Sequence, residues 1–161
     1  WTINNSTPAN IFDQFDRPDL CIHLAWDGLP DFKSPLHEDV HFNNHLHFLK
    51  ALTNQDPIKL SVIGTCLEYG MREGELSEEM PAEPALSYPI GKNKLRIELE
   101  KLQQKTGFEM DWIRLFYMHG EGQSSKSILA QLDKHLEEEQ SVFNMSQGLQ
   151  VRDYLAVEQV A

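Results

Sequence analysis

Three short apolar runs, separated by segments with helical spacing, constrain the fold of this chain most strongly. The runs are Leu20–Trp26, Ile58–Gly64 and Met110–Phe116, and each has the length and composition of a buried strand. The segments between them predict helices over about Glu38–Thr53 and Tyr88–Lys105. Strands that alternate with helices in this way predict a parallel sheet with right-handed crossovers. The expected fold class is therefore α/β.

The two ends of the chain carry weaker signals. A short extended start at Trp1–Ile3 precedes a predicted helix over Pro8–Phe15. After the third apolar run, the pattern predicts a helix over Ser127–Glu139 and a short strand near Ser141–Met145.

Tyr88 and Lys92 stand four residues apart at the start of a predicted helix. Pro89 suits a first helical turn, because its missing N–H costs nothing there, so both side chains should project from one face. A lysine ammonium beside a phenol favours the phenolate, and we expect it to lower the tyrosine pKa from its ordinary value of about 10. The phenol could then exchange protons near neutral pH. The alternative is an aromatic residue and a lysine that share a helix face by chance.

Thr65 directly follows the apolar run Ile58–Gly64, which places a hydroxyl at the carboxyl end of a predicted strand. In an open parallel sheet, ligands bind at this edge. The alternative for Thr65 is a residue that only caps a turn.

Together these motifs resemble the extended short-chain dehydrogenase/reductase family, the NAD-dependent nucleotide-sugar epimerases, dehydratases and reductases. The resemblance covers nearly the whole chain and rests on the pieces Asp19–Ala25, Thr65 with Tyr69-Gly70, Glu78–Pro84 before Tyr88 and Lys92, Arg114–Gly120, and Arg152–Tyr154. It implies a Rossmann-like parallel sheet with flanking helices, which lacks the first βαβ unit, and the start of a smaller substrate domain. Residues 1–123 would then be a partial NAD(P)-binding domain, and residues 124–161 the start of the substrate-binding region.

The resemblance also implies roles for single residues. It makes Tyr88 the catalytic acid/base, Lys92 the residue that holds the nicotinamide ribose, and Thr65 a catalytic hydroxyl that also orients the sugar. The cofactor, NAD or NADP, would also contact Leu24, Ala25, Trp26, Tyr117 and Met118. The nucleotide-diphosphate sugar would contact Tyr117 and Arg152. Leu24 and Ala25 could instead be ordinary core, and Arg152 could pair only with Asp153. A homodimer through the two long helices is also implied.

Several departures from the family pattern narrow this interpretation. Cys66 and Leu67 follow Thr65 where the 4,6-dehydratases carry an Asp-Glu pair, so an epimerase or a 4-ketoreductase is favoured over a dehydratase. Tyr117 stands where many members have an asparagine that contacts the substrate. No glycine-rich turn precedes Asp19, so the chain is expected to begin inside the dinucleotide domain and to leave the strand at Asp19–Trp26 as an exposed edge. The segment Gly120–Gln123 lacks the third glycine of a phosphate-binding turn, so it is not expected to bind a phosphate.

Composition excludes some classes of function. The formal net charge of -11 argues against binding to a phosphate backbone. No apolar run has the length of a membrane span and no secretory segment is evident, so a cytoplasmic protein is expected. His37, His41 and His45 recur at steps of four residues, but no convergent carboxylate or cysteine motif accompanies them, so no metal is expected. The alternative to an enzyme is a non-catalytic member of the same fold, which senses a dinucleotide or serves as a structural domain.

Overall fold

The computed structural model describes residues 3–4, 6–8, 10–54 and 58–161. The extended start expected at Trp1–Ile3 lies largely outside these residues. The chain divides into two compact units, Trp1–Leu115 and Phe116–Ala161. The first unit contains helix α1 (Ile11–Gln14), strand β1 (Leu20–His23), helix α2 (Val40–Thr53), strand β2 (Lys59–Thr65), helix α3 (Ser87–Thr106) and strand β3 (Glu109–Leu115). Two short 3-10 turns, Pro35–His37 and Cys66–Tyr69, lie between them.

The three strands of the first unit form one parallel sheet in the order β1-β2-β3. Val62 of β2 is in register with His23 of β1 and Trp112 of β3. The prediction of an α/β fold with a parallel sheet and flanking helices is therefore confirmed. β1 is shorter than the apolar run that predicted it, so Leu24, Ala25 and Trp26 lie in the loop that follows the strand.

The hydrophobic core lies between one face of this sheet and the helices. Leu60 and Val62 of β2 are fully buried against apolar side chains of the helices, which are Ile11 and Phe12 of α1, Leu46, Leu49 and Leu52 of α2, and Leu95 and Leu99 of α3. Burial of the side chains of β1 reflects this arrangement, because His23 is buried against the helices while Leu20 and Ile22 are exposed.

Helix α3 begins and ends where its sequence predicts. Pro89 lies in its first turn, and Gly107 ends it in the left-handed conformation, with a φ of 79°. Gly91 lets the helix approach the turn before α2, because a Cβ atom at this position would lie 2.2 Å from the carbonyl oxygen of His37. α3 therefore packs closely enough for Tyr88 and Lys92 to be buried.

The second unit contains strand β4 (Tyr117–His119), helix α4 (Ile128–Glu137), strand β5 (Tyr154–Ala156) and helix α5 (Val157–Val160). β4 and β5 pair in parallel, and the Ser127 side chain caps α4 by accepting a hydrogen bond from the Ala130 N–H. Among the described residues, no helix combines the length and the apolar character that crossing a membrane requires.

Two predicted elements differ from the structure. No strand forms at Ser141–Met145, because a short apolar run without a neighbouring strand has no partner for its backbone groups. The helix expected over Pro8–Phe15 is limited to Ile11–Gln14 within the described residues.

The boundary between the two units falls after Leu115, before the boundary expected at Gln123. The assignment of cofactor and substrate roles to the two segments stays a prediction.

Candidate active site

Thr65 is the last residue of β2, at the carboxyl edge of the sheet, and its side chain is buried. Its hydroxyl oxygen accepts a hydrogen bond of 3.3 Å from the Leu67 N–H, and its own N–H donates one of 2.9 Å to the Glu68 carboxylate. This reciprocal pattern is a capping box that begins the turn Cys66–Tyr69. Thr65 therefore does cap a turn, while its hydroxyl keeps the capacity for further hydrogen bonds.

Tyr88 lies in the first turn of α3, is 8% exposed and lies close to the Thr65 side chain. The expectation that its pKa is lowered is wrong for this structure. The pKa of Tyr88 is raised to about 12, mainly by burial and then by electrostatic interactions with Glu68 and Cys66, whereas the interaction with the Thr65 side chain acts in the opposite direction. The phenol is therefore held protonated at neutral pH.

Lys92 lies one helical turn further along α3 and is 1% exposed. Its ammonium donates a hydrogen bond of 2.8 Å to the carbonyl oxygen of Ile63 and lies 4.3 Å from the centre of the Trp26 ring. Burial lowers the pKa of Lys92 to about 8, and the carboxylate of Glu68 opposes this change. The ammonium is therefore directed at Ile63 and Trp26, and its expected place beside the Tyr88 phenol stays a prediction.

The carboxylate of Glu68 is fully buried beneath this group of side chains. It accepts hydrogen bonds of 3.1 Å from Trp112 Nε1 and 3.0 Å from Arg114 Nε, both on β3. Sequence reasoning missed this role of Glu68, although Thr65 and Glu68 have the spacing of a capping box in the printed sequence. Trp112 and Arg114 gave no comparable signal, because they are distant from Glu68 along the chain.

Aromatic rings and histidines form the wall next to Lys92. Trp26 stacks on His45, with ring centres 4.7 Å apart, and its Nε1–H donates to His37 Nδ1 at 3.0 Å. His23 Nε2 and His45 Nδ1 lie 3.0 Å apart. Burial lowers the pKa of His23 to about 4 and that of His45 to about 3, so both are neutral at pH 7. Within the described part of the chain, no group of three or more His, Cys, Asp or Glu side chains could hold a metal ion.

The residues present fit the ribose end of a nicotinamide cofactor. An ammonium carries three N–H donors, and Ile63 takes one from Lys92, which leaves donors for ribose hydroxyls beside the hydroxyls of Thr65 and Tyr88. Leu24, 69% exposed, and Ala25 follow β1 at the same edge of the sheet and present apolar surface there. The structure therefore brings Thr65, Tyr88, Lys92 and Trp26 together, whereas their catalytic and binding roles stay predictions.

The remaining predicted site residues lie in the second unit. Tyr117 and Met118 are on β4, and the Arg152 guanidinium lies 5.1 Å from the centre of the Tyr117 ring. Arg152 is exposed and donates a hydrogen bond of 3.0 Å to the Gln150 side chain. The structure thus places Arg152 and Tyr117 in one local group, with the guanidinium on the protein surface.

A family model matches residues 2–161 and is described as the NAD dependent epimerase/dehydratase family. The dTDP-6-deoxy-L-talose 4-dehydrogenase (NAD(+)) of Aggregatibacter actinomycetemcomitans is 26% identical over 153 residues, which are 92% of this chain and 55% of that protein. This chain therefore spans about half the length of that relative.

Two solved structures resemble the fold at lower identity. UDP-N-acetylglucosamine 4-epimerase of Methanobrevibacter ruminantium M1, in complex with UDP-N-acetylmuramic acid, is 20% identical with a TM-score of 0.82, and the match covers 97% of this chain and 52% of that one. UDP-glucuronic acid 4-epimerase of Bacillus cereus, in complex with UDP-glucuronic acid and NAD, is 19% identical with a TM-score of 0.79, and the match covers 99% of this chain and 51% of that one.

Proposed function

The chain belongs to the NAD dependent epimerase/dehydratase family, and we propose that it supplies the proton-transfer residues of an NAD(P)-dependent enzyme that acts on a nucleotide-diphosphate sugar. The reaction is the interconversion of a sugar hydroxyl and a keto group, as in an epimerase or a 4-ketoreductase. The observation that supports this proposal most is that the buried side chains of Thr65 and Tyr88 lie near enough to each other, at the carboxyl edge of the sheet, for Thr65 to affect the pKa of the phenol.

In this proposal, Tyr88, Thr65 and Lys92 each act on the sugar or on the cofactor. NAD or NADP, when bound, supplies the acceptor or donor of hydride. Tyr88 gives its phenolic proton to the sugar oxygen during reduction and accepts the proton during oxidation. Thr65 shares a hydrogen bond with the same oxygen and keeps the phenol in place. Lys92 holds the ribose hydroxyls with the N–H groups that Ile63 does not use.

The surroundings of Thr65 favour hydride transfer without dehydration. Elimination of water from the sugar needs a general acid and a general base within reach of the substrate, and the 4,6-dehydratases carry an Asp-Glu pair for this purpose. Cys66 and Leu67 provide neither, and the carboxylate of Glu68 is fully buried and accepts hydrogen bonds from Thr65, Trp112 and Arg114. The likeness to a sugar 4-dehydrogenase at 26% identity supports the same choice.

The other predicted residues complete the proposal. Leu24, Ala25 and Trp26 line the cofactor, and Tyr117 and Met118 contact the nicotinamide and the sugar. Arg152 binds the diphosphate, for which a planar guanidinium with several donors is well suited. We further propose a cytoplasmic homodimer through α2 and α3, for which sedimentation at micromolar concentration should give a mass above that of the monomer.

The test of the proposed function uses the full-length protein. Binding of NADH and NADPH is measured by fluorescence, and nucleotide sugars are then screened for a change of absorbance at the nicotinamide band. We expect Tyr88→Phe to bind the cofactor like the wild type and to lower turnover by a factor of about 10² to 10⁴. Unchanged turnover in Tyr88→Phe would exclude the role of Tyr88, and cofactor binding without turnover of any sugar would favour a non-catalytic dinucleotide-binding protein.

A further inference from the structure

Glu68 is a charged side chain with no exposed surface, in a position that the proposed reaction does not use. Its carboxylate is satisfied by three donors, the N–H of Thr65, the indole N–H of Trp112 and Nε–H of Arg114. One of these donors belongs to the proposed catalytic threonine, and the other two belong to β3. The carboxylate therefore joins the turn after β2 to the neighbouring strand.

The space for this carboxylate depends on Gly64. A Cβ atom at Gly64 would lie 2.5 Å from Glu68 Oε1 and 2.4 Å from Trp112 Nε1, so only glycine allows both groups to approach the strand. Arg114 extends the same network, because its Nη1 donates to the Tyr69 hydroxyl at 3.2 Å. The Thr65 backbone and the side chains of Trp112 and Arg114 thus hold the carboxylate in one position.

Glu68 and Lys92 bind backbone groups of β2 that are two residues apart, because the carboxylate accepts a hydrogen bond from the Thr65 N–H and the ammonium donates one to the Ile63 carbonyl oxygen. Both charges therefore lie at the same end of the strand, where the charge of Glu68 acts on Lys92. The other titratable groups that interact with the Lys92 ammonium are His23 of β1 and His45 of α2, and Arg114 of β3 is the cation that pairs with Glu68 at 3.0 Å. Burial keeps both histidines neutral at pH 7, and the Tyr88 phenol is also neutral there. A buried ammonium without a counter-charge is costly, and Glu68 reduces that cost.

We propose that Glu68 is a positioning residue of this site, which fixes the Thr65 turn against β3 and supplies the negative charge that holds the Lys92 ammonium in its protonated form. Its relevance to catalysis rests on the function proposed above. The alternative is that Glu68 only caps the turn Cys66–Tyr69, a role that would affect stability but not the titration of Lys92.

The test measures the titration of Lys92 directly. The side-chain nitrogen of Lys92 is followed by NMR between pH 6 and pH 11, with Lys92→Gln to assign its signal. In the wild type we expect a midpoint near pH 8. In Glu68→Gln, which keeps the shape of the side chain and removes its charge, we expect the midpoint to fall by about one pH unit, a tenfold change in the proton affinity.

Trp112→Phe is the matched control, because it removes one hydrogen bond to Glu68 and keeps the charge. We expect its Lys92 midpoint to stay at the wild-type value. An unchanged midpoint in folded Glu68→Gln, or an equal fall in Trp112→Phe, would overturn the proposal in favour of a cap alone.

A second variant covers the case in which Glu68→Gln does not fold. Arg114→Gln removes the cation that pairs with Glu68 at 3.0 Å. The negative charge of Glu68 is then no longer offset by the guanidinium and stabilises the Lys92 ammonium more strongly. We expect the Lys92 midpoint to rise in this variant, and an unchanged or lower midpoint would refute the proposal. Because these measurements need neither cofactor nor sugar, their failure is distinguishable from failure of the proposed function.

Discussion

The Lys92 ammonium donates a hydrogen bond of 2.8 Å to the carbonyl oxygen of Ile63, which lies two residues before Thr65 on β2. The side chain from α3 is thereby fixed to the strand that ends in Thr65. Since the ammonium is buried, this arrangement carries a cost in stability that the protein accepts at the position of a proposed functional group.

Replacement of Lys92 by Met should make the protein more stable and less active. The pKa of Lys92 is about 8 in the folded protein and 10.5 in its ordinary state, so the unfolded chain binds more protons between these pH values. The destabilisation by the buried charge is therefore complete below pH 8 and disappears as the pH rises to 10.5. We expect Lys92→Met to raise the free energy of unfolding at pH 7 by about 1–2 kcal/mol, because lost contacts to Ile63 and Trp26 offset part of the gain.

Urea unfolding at pH 7, 9 and 10 measures this effect. The difference between Lys92→Met and the wild type should shrink across that series. Lys94→Met is the control, because Lys94 is exposed on the same helix. A difference that is independent of pH would show that the charge of Lys92 is not the cause.

The buried histidine pair should make the protein sensitive to mild acid. The pKa values of His23 and His45 are lowered by burial to about 4 and about 3, below the ordinary 6.5. The stability associated with the neutral pair is therefore complete above pH 6.5 and is lost as the pH falls toward 4. We expect a loss of about 3 kcal/mol of unfolding free energy from each histidine, or about 6 kcal/mol for the pair, between pH 7 and pH 4. In His45→Gln this dependence should be weaker, whereas His47→Gln, a substitution at an exposed position of the same helix, should behave like the wild type.

The sequence was sufficient to predict the elements that carry the site. The three strands were evident because each apolar run is bounded by turn residues or by a change to helical spacing, and these signals are local. The end of α3 at Gly107 was predictable for the same reason, since a left-handed residue after a helix favours glycine. The proximity of Thr65 and Tyr88 was also predictable, because Thr65 ends a predicted strand and Tyr88 begins the predicted helix that follows.

The surroundings of the site could not be predicted in the same way. Glu68 meets Trp112 and Arg114 through residue separations of 44 and 46, so no local pattern reveals the contact. The spacing of Tyr88 and Lys92 indicated that they are near each other but not that both are buried. Burial decides the direction of the Tyr88 pKa, which is why the expected lowering was wrong.

Gly91→Ala should destabilise the protein, although alanine is normally favoured over glycine in a helix by about 1 kcal/mol. The new Cβ atom would lie 2.2 Å from the carbonyl oxygen of His37 and 2.8 Å from its carbonyl carbon, and these backbone atoms cannot move without the turn that contains them. We expect a loss of about 2–3 kcal/mol in thermal or urea unfolding. Lys94→Ala, at an exposed position of the same helix, should have little effect. Higher stability of Gly91→Ala would mean that α3 is not held against this turn.

The last prediction concerns the hydroxyl of Thr65, which has a structural and a proposed chemical role. Thr65→Val keeps the shape of the side chain but removes the oxygen that accepts a hydrogen bond from the Leu67 N–H and lies close to the Tyr88 phenol. Loss of the cap should cost about 1 kcal/mol of unfolding free energy. If the hydroxyl also contacts the sugar, turnover should fall by a factor of at least about 10², which is more than a loss of about 1 kcal/mol could explain in a protein that remains folded.

Thr65→Ser separates the two roles, because it retains the hydroxyl and loses only a methyl group. We expect this variant to keep the cap and most of the turnover, as measured by unfolding in urea and by the absorbance of the nicotinamide. Equal turnover of the Val and Ser variants, after correction for the folded fraction, would show that Thr65 acts only as a cap. The proposed proton-transfer role would then fall to Tyr88 alone.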